Sequence, residues 1–286
     1  MKYAIEIKNL IKEYHNFELK NINLKIPSGM VIGLIGENGA GKTTLIKSIL
    51  NIIKTKSGSI QIFDKDYIKK EAEIKEDIGV VLDDMFFPEL LTIKDINSIM
   101  KDIYTKWDSD LFSQYLERFD LPENKHIKEL SKGMHKKLEI ATALAHRPKL
   151  LILDEPTSGL DPVIRSEVLD VFLEFLKDED HTILFSTHIT TDLEHIADYI
   201  IFLNHGEVLL DMPKDEILDS YGILKCDEEQ FKKIDKKDII RYKKNKYSYE
   251  ILIENKEKMI HKYPNYVIDK VTLEDMMILY IRGEKK

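Results

Sequence analysis

Nine consecutive residues carry the strongest chemical signal in the chain. Gly36-Glu37-Asn38-Gly39-Ala40-Gly41-Lys42-Thr43-Thr44 has the spacing Gly-x4-Gly-Lys-Thr. Glycines let a backbone turn tightly enough for its N–H groups to face phosphate oxygens. A lysine after the last glycine reaches terminal phosphates, and the next hydroxyl can bind Mg²⁺. Gly36, Asn38, Gly39, Ala40, Gly41, Lys42, Thr43 and Thr44 are therefore candidates for holding a phosphorylated ligand, with Thr43 also a metal ligand. A second signal is Leu150-Leu151-Ile152-Leu153-Asp154-Glu155, an apolar run ending in two carboxylates. At the carboxyl end of a strand in an open α/β sheet, such acids face the ligand crevice. Asp154 there would hold Mg²⁺ through water, and Glu155 would polarise an attacking water.

These residues need strands and helices to place them. Val31–Ile35 is a short continuous apolar run, the pattern of a strand buried on both faces, and it leads straight into the glycine loop. Helical sequence follows over Leu45–Ile53, presenting a positive N-terminal end to an anion. Ile5–Leu10 and Leu19–Ile26 alternate as half-buried strands do. Ser59–Phe63, Ile78–Leu82, Thr182–Phe185 and Tyr199–Leu203 also read as strands. Pro162–Lys177 is an amphipathic helix, and Thr92–His146 is mostly helical. Alternating strands and helices predict an α/β core with a largely parallel sheet, interrupted by a helical insertion. After it, strand-like Ser248–Ile253 and a helix at Leu273–Ile281 predict a small α+β module.

Composition narrows the function classes. The chain has 286 residues, 43 Lys/Arg against 51 Asp/Glu, and a net charge of −8. A net acidic chain is a poor nonspecific binder of nucleic acid. One cysteine, Cys226, excludes an internal disulfide and a Cys-rich zinc site. The start, MKYAIEIKNL, shows no secretory h-region, and no apolar run approaches the ~18 residues of a membrane span. The expectation is a cytoplasmic protein whose membrane role, if any, comes through a partner. Charge is uneven: Gly222 to Lys286 holds 16 Lys/Arg and 12 Asp/Glu, net +4, while residues 1–221 are net −12. This shift predicts a boundary at Tyr221-Gly222, with units 1–221 and 222–286. Because the second unit follows every nucleotide motif, it is expected to be dispensable for nucleotide hydrolysis.

The ordered motifs resemble those of ATP-binding cassette (ABC) ATPases. Leu130-Ser131-Lys132-Gly133-Met134 resembles the family signature LSGGQ. Ser158-Gly159-Leu160-Asp161 resembles its D-loop, and His188 in Ser186-Thr187-His188 its switch histidine. The resemblance covers roughly residues 1–220. It implies a P-loop NTPase, RecA-like core, an antiparallel β-subdomain and an inserted helical subdomain at about 85–147. It implies ATP and Mg²⁺ as ligands, and a head-to-tail dimer, with a second copy or a paralogous cassette, that sandwiches two ATPs. Tyr14 sits where the family places an aromatic under adenine, with Phe17 an alternative platform. Ser131 and Gly133 would contact the γ-phosphate held by the opposite subunit. Glu155 and His188 would be catalytic. Two departures stand out: Lys132 and Met134 replace a signature glycine and glutamine, and Asp83 replaces the glutamine that usually links Mg²⁺ to the helical subdomain. Asp83 is kept as a ligand and metal candidate that would act mainly as a coupling switch.

The Lys-Gly-Met signature and the tail, including Thr272-Leu273-Glu274-Asp275-Met276-Met277, resemble cassettes of bacterial antibiotic and peptide exporters of the bacitracin-resistance, YtrB-like and phenol-soluble-modulin types. The reading is an ATPase subunit powering export of a peptide, toxin or antibiotic through a separate transmembrane permease, peripheral on the inner membrane face. An importer ATPase and a non-transport regulatory ABC ATPase are the alternatives. A DNA-repair cassette would carry a long coiled-coil insertion, but Lys42 and Asp154 are only 112 residues apart, without sustained heptads. The apolar segment Met85–Leu91 would border the permease groove, or pack onto the helical subdomain.

Overall fold

The computed structural model describes residues 2–83 and 87–285. Asp84, Met85 and Phe86 lie outside them, so the expectation for Met85–Leu91 can be followed only from Phe87, which is buried in the main core.

The first sheet is antiparallel. Strands Tyr3–Tyr14 and Phe17–Pro27 form a hairpin, joined by Ser57–Ile62 and Lys65–Asp66. Alternation works as expected here: Ile5 and Ile7 on one strand, and Ile22, Leu24 and Ile26 on the other, are all buried. The second sheet is the heart of the molecule. Its order is Glu207–Pro213, Tyr199–Asn204, Val31–Ile35, Thr182–Thr187, Leu150–Asp154, Ile78–Val81. All pairings are parallel except that of Glu207–Pro213 with Tyr199–Asn204. Every residue of Val31–Ile35 and Leu150–Asp154 is buried, the pattern of strands covered on both faces. The site motifs thus leave the same end of adjacent parallel strands, where such sheets bind ligands.

The inserted helices are Ile93–Ile103, Ser109–Arg118 and Lys132–Ala145, capped by Thr92, Asp108 and Ser131. Each cap oxygen accepts an N–H that the first turn would leave unpaired. Phe112, Leu116, Phe119 and Leu138 join them to the core.

The tail contains more sheet than its sequence suggests. Strands Tyr221–Cys226, Arg241–Lys244, Tyr249–Glu254 and Val267–Lys270 pair antiparallel in the order second, third, first, fourth. With helices Glu228–Lys233 and Lys256–Lys262, this is the βαββαβ arrangement of two interleaved split β-α-β units, as in ferredoxin-like folds. One face carries its own apolar cluster, including Leu224, Ile251, Ile253 and Met259. The other presents Tyr221, Ile223 and Leu252 to the final helix, Leu273–Arg282, and that cluster is continuous with Ile200, Phe202 and Ile217. The charge shift therefore falls where the third sheet begins, while hydrophobic packing runs across it. The helix expected over Leu45–Ile53 runs Lys42–Ile49 and stops before Asn51, whose φ is 53°.

Candidate nucleotide-binding site

The sheet order brings the separated motifs together. The glycine loop leaves the Val31–Ile35 strand and opens into the Lys42–Ile49 helix. Gly39 and Gly41 have φ of 83° and 110°, in the left-handed region that favours glycine. Gly41 also meets Phe17: a Cβ there would lie 2.6 Å from Phe17 Cζ. The loop floors an open cleft of about 760 Å³, with Tyr14 and Phe17 on one wall and Asp83 and Glu155 on another. Asn38, Gly39, Lys42, Thr43 and Thr44 line it too. Gly36 and Ala40 belong to the turn behind them.

Lys42 is buried, and its ammonium donates to Gly36 O at 2.7 Å while lying 3.5 Å from Glu155 Oε1. Carbonyls and a carboxylate hold the cation where phosphate oxygens would meet it. Thr43 Oγ1 donates to Asp154 Oδ2 at 2.7 Å. Burial pushes the Asp154 carboxyl above its ordinary value, an effect only partly offset by the Thr43 hydrogen bond. Asp154 Oδ1 is buried and makes no well-formed hydrogen bond among the described residues, with the Ser186 hydroxyl beside the carboxylate. A hydroxyl beside a carboxylate with a free oxygen is a hard-oxygen donor set, so these residues fit Mg²⁺.

Glu155 has φ 51°, a strained backbone for a non-glycine residue. Its N–H donates to Ser186 O at 2.9 Å. Its Oε2 lies 2.8 Å from His188 Nδ1 and 3.4 Å from Thr187 Oγ1. Glu155 is thus aimed by the adjacent strand end, with His188 half-exposed beside it. A deeper brace holds the loop after Glu155: Thr157 Oγ1 donates to Asp192 Oδ2 at 2.6 Å, and Arg165 Nε to Asp192 Oδ1 at 2.5 Å. Nothing in the sequence pattern singled out Asp192 or Arg165, because neither belongs to a spaced motif.

Asp83 enters the cleft but is exposed. Among the described residues no group of three His, Cys, Asp or Glu converges to hold a metal ion. The Asp83 charge is felt at the buried Lys136–Glu139 pair, whose charged groups are 2.7 Å apart. Burial pushes the Glu139 carboxyl up, opposed by Lys136 and reinforced by the Asp83 charge.

Tyr14 is 49% exposed, with the Lys12 ammonium over its ring. Phe17 is more enclosed and sits directly on Gly41, so both aromatics flank the cleft. Ser131 and Gly133 do not line it. Ser131 caps the Lys132–Ala145 helix by accepting the Met134 N–H at 3.3 Å. Gly133 packs on Ile164, and the Lys132 side chain lies on the Gly159 turn.

An α/β core with a glycine-loop nucleotide cleft, an antiparallel sheet and an inserted helical subdomain defines the ATPase subunit of an ABC transporter. The sequence pattern of the family described as "ABC transporter" matches residues 19–158. The chain is 36% identical over 218 residues to the ABC transporter ATP-binding protein YtrB of Bacillus subtilis, covering 76% of this chain and 74% of that one. It is 34% identical to the bacitracin transport ATP-binding protein BcrA of Bacillus licheniformis, over 76% and 72% of the two chains. It is also 34% identical to the lantibiotic transport ATP-binding protein SrtF of Streptococcus pyogenes, over 74% and 91%. A solved ATP-binding subunit of an ABC transporter superposes with TM-score 0.70 at 26% identity, over 76% and 92% of the two chains. CbiO1 from Clostridium perfringens, part of the ABC transporter complex cbiONQ, gives 0.64 at 30%, over 77% and 92%. The chain belongs to the ABC transporter ATP-binding family, whose members bind and hydrolyse ATP. Among the described residues no helix is long and apolar enough to cross a membrane.

Proposed function

We propose that the chain powers export of a peptide, toxin or antibiotic through a separate membrane permease, peripheral on the inner face of the membrane. The similarity to BcrA and SrtF, both named as transport ATP-binding proteins for such compounds, supports this reading. Residues 1–221 are the cassette, with its helical subdomain at about 85–147, and 222–286 an accessory module. The working form is a head-to-tail dimer, with a second copy or a paralogous cassette.

The contact chain Lys42–Glu155–His188, with Thr43–Asp154 beside it, is the observation that carries the chemistry. Phosphoryl transfer asks a protein mainly for positioning and charge stabilisation. The glycine-loop N–H groups and Lys42 bind the triphosphate. Tyr14 and Phe17 offer their faces to adenine. Thr43 and Asp154 would hold Mg²⁺, which when bound neutralises phosphate charge. Glu155 accepts a hydrogen bond from the attacking water, and His188 fixes the Glu155 carboxylate and reaches toward the γ-phosphate. Ser131 and Gly133 complete the partner subunit's site.

Glu155→Gln tests this reading. The amide keeps the shape but cannot take up the proton of the water, so turnover should fall at least about 100-fold, the usual worth of a positioned base. ATP affinity should persist, and an ATP-bound dimer should accumulate on sizing chromatography. Near-normal turnover would remove Glu155 from the chemistry. Affinity capture of the wild-type subunit from membranes should bring a permease, and the cargo that stimulates ATPase activity of that complex separates export from import.

A further inference from the structure

The phosphate loop rests at two points on one turn, the hairpin between strands Tyr199–Asn204 and Glu207–Pro213. The Gly206 N–H donates to Ala40 O at 3.0 Å. Leu203 O presses on Gly36 so closely that a Cβ there would collide with it. Both ends of the glycine turn, Gly36 and Ala40, are therefore set by residues 203–206. The turn is clamped from the far side as well. Lys20 N–H donates to Gly206 O at 2.8 Å, and Gly206, with φ 73°, lies against the Glu18 carbonyl with no room for a side chain.

The turn is also backed by the tail. Phe202 pairs in register with Ile35, the residue before Gly36. Tyr280 of the final helix meets Phe202 edge-on, with ring centroids 5.4 Å apart. Leu273, Met276 and Met277 close over Ile35, Ile200 and Phe202, leaving a void of only about 10 Å³. None of Phe202, Gly206 and Tyr280 lines the nucleotide cleft.

We propose that Gly206 is a positioning residue for the phosphate loop, and that the final helix, through Tyr280 on Phe202, holds the turn in the geometry that binds ATP. Loop amides must point at phosphate oxygens within about 0.5 Å and 10–20° to bind well. A support displaced by a side chain at 206, or loosened behind Phe202, moves that aim without removing any group that touches ATP. The tail thus sets nucleotide affinity from outside the cleft. This inference rests on Gly36–Thr43 being the phosphate loop, and Lys42→Ala checks that premise separately.

The test measures ATP binding with a fluorescent analogue, and steady-state KM and kcat, on the full chain. Gly206→Ala, Tyr280→Ala and Lys42→Ala are compared, each confirmed folded by circular dichroism. Tyr280→Ala keeps the test intact should Gly206→Ala fail to fold. The expected result is a Kd for ATP raised about tenfold in Gly206→Ala and severalfold in Tyr280→Ala, tenfold being about 1.4 kcal/mol. KM should rise in parallel while kcat stays within about twofold, the pattern of lost ground-state binding. Lys42→Ala should abolish binding, and failure of that arm alone would strike the loop assignment. Unchanged affinity in either folded variant, with Lys42→Ala inactive, overturns the proposal. So does a fall in kcat with KM unchanged.

Discussion

Ending the chain at Lys270 removes the final helix and keeps every nucleotide motif. Val271, Leu273, Met276 and Leu279 are 3%, 1%, 5% and 4% exposed. Full burial of an apolar side chain of this size contributes about 1.5–3 kcal/mol. Four together amount to on the order of 6–12 kcal/mol, an upper figure because unfolded chains already bury some apolar surface. Whole domains are stable by only about 5–15 kcal/mol. The cut also uncovers Phe202 and Ile200, now 3% and 1% exposed. The shortened chain should therefore aggregate or lose its cooperative melt, against the expectation from motif order that the tail is dispensable. Leu279→Ala is the graded version. A Leu→Ala change in a core costs about 2–5 kcal/mol, which lowers Tm by about 5–20 °C in a chain of this size. Circular dichroism melts and sizing chromatography of the two proteins decide the matter. A soluble monomer ending at Lys270, melting within about 5 °C of the full chain, would refute the claim that the final helix belongs to the main core.

Three further outcomes are expected. Asp154 is pushed up by burial, so the nucleotide-free fold holds its proton to higher pH than the unfolded chain, and stability is lost as pH rises through the folded value. Asp154→Asn should thus raise Tm of the free protein at about pH 7, with the gain shrinking below about pH 4; an equal gain at both would refute the cause. Asp83→Ala should leave basal ATPase activity of the isolated subunit within about twofold while weakening permease- or cargo-stimulated activity severalfold; an equal fall in both rates, measured on one preparation, would make Asp83 a residue of the chemical step. Gly41→Ala should abolish ATP binding, because a Cβ there meets Phe17 at 2.6 Å in a left-handed backbone; equilibrium binding of a fluorescent ATP analogue checks it.

The site was legible wherever chemistry is written in local order. Gly36 to Thr44, and the Leu150–Glu155 run, announce themselves because the backbone turn and the strand end each need particular residue types at fixed spacing. Val31–Ile35 and Thr182–Phe185 were readable for the same reason: strands buried on both faces are apolar throughout. What escaped was settled by distant partners. Arg241–Lys244 reads Arg-Tyr-Lys-Lys and shows no apolar alternation, yet it pairs with Tyr249–Glu254. Tyr221–Cys226 is a central strand that composition marked only as a boundary. Asp192 looked like any helical acid until the fold set Thr157 and Arg165 on its two oxygens. Gly206 is one of 12 glycines, and only its hydrogen bond to Ala40 gives it a place near the nucleotide.

The seat of Leu273 and Met276 against Ile35 also has a meaning for biosynthesis. Ile35 leaves the ribosome 238 residues before Leu273. At about 5–20 residues per second, the interval between them is on the order of ten to fifty seconds. During it the nucleotide motifs are completed one by one, while Ile35, and then Ile200 and Phe202 once they are made, lack their cover. A message that stalls or terminates early yields a product with an intact glycine loop and a sticky apolar wound beside it. Such fragments are clients for holdases and proteases, and the core closes only once the final helix has been made.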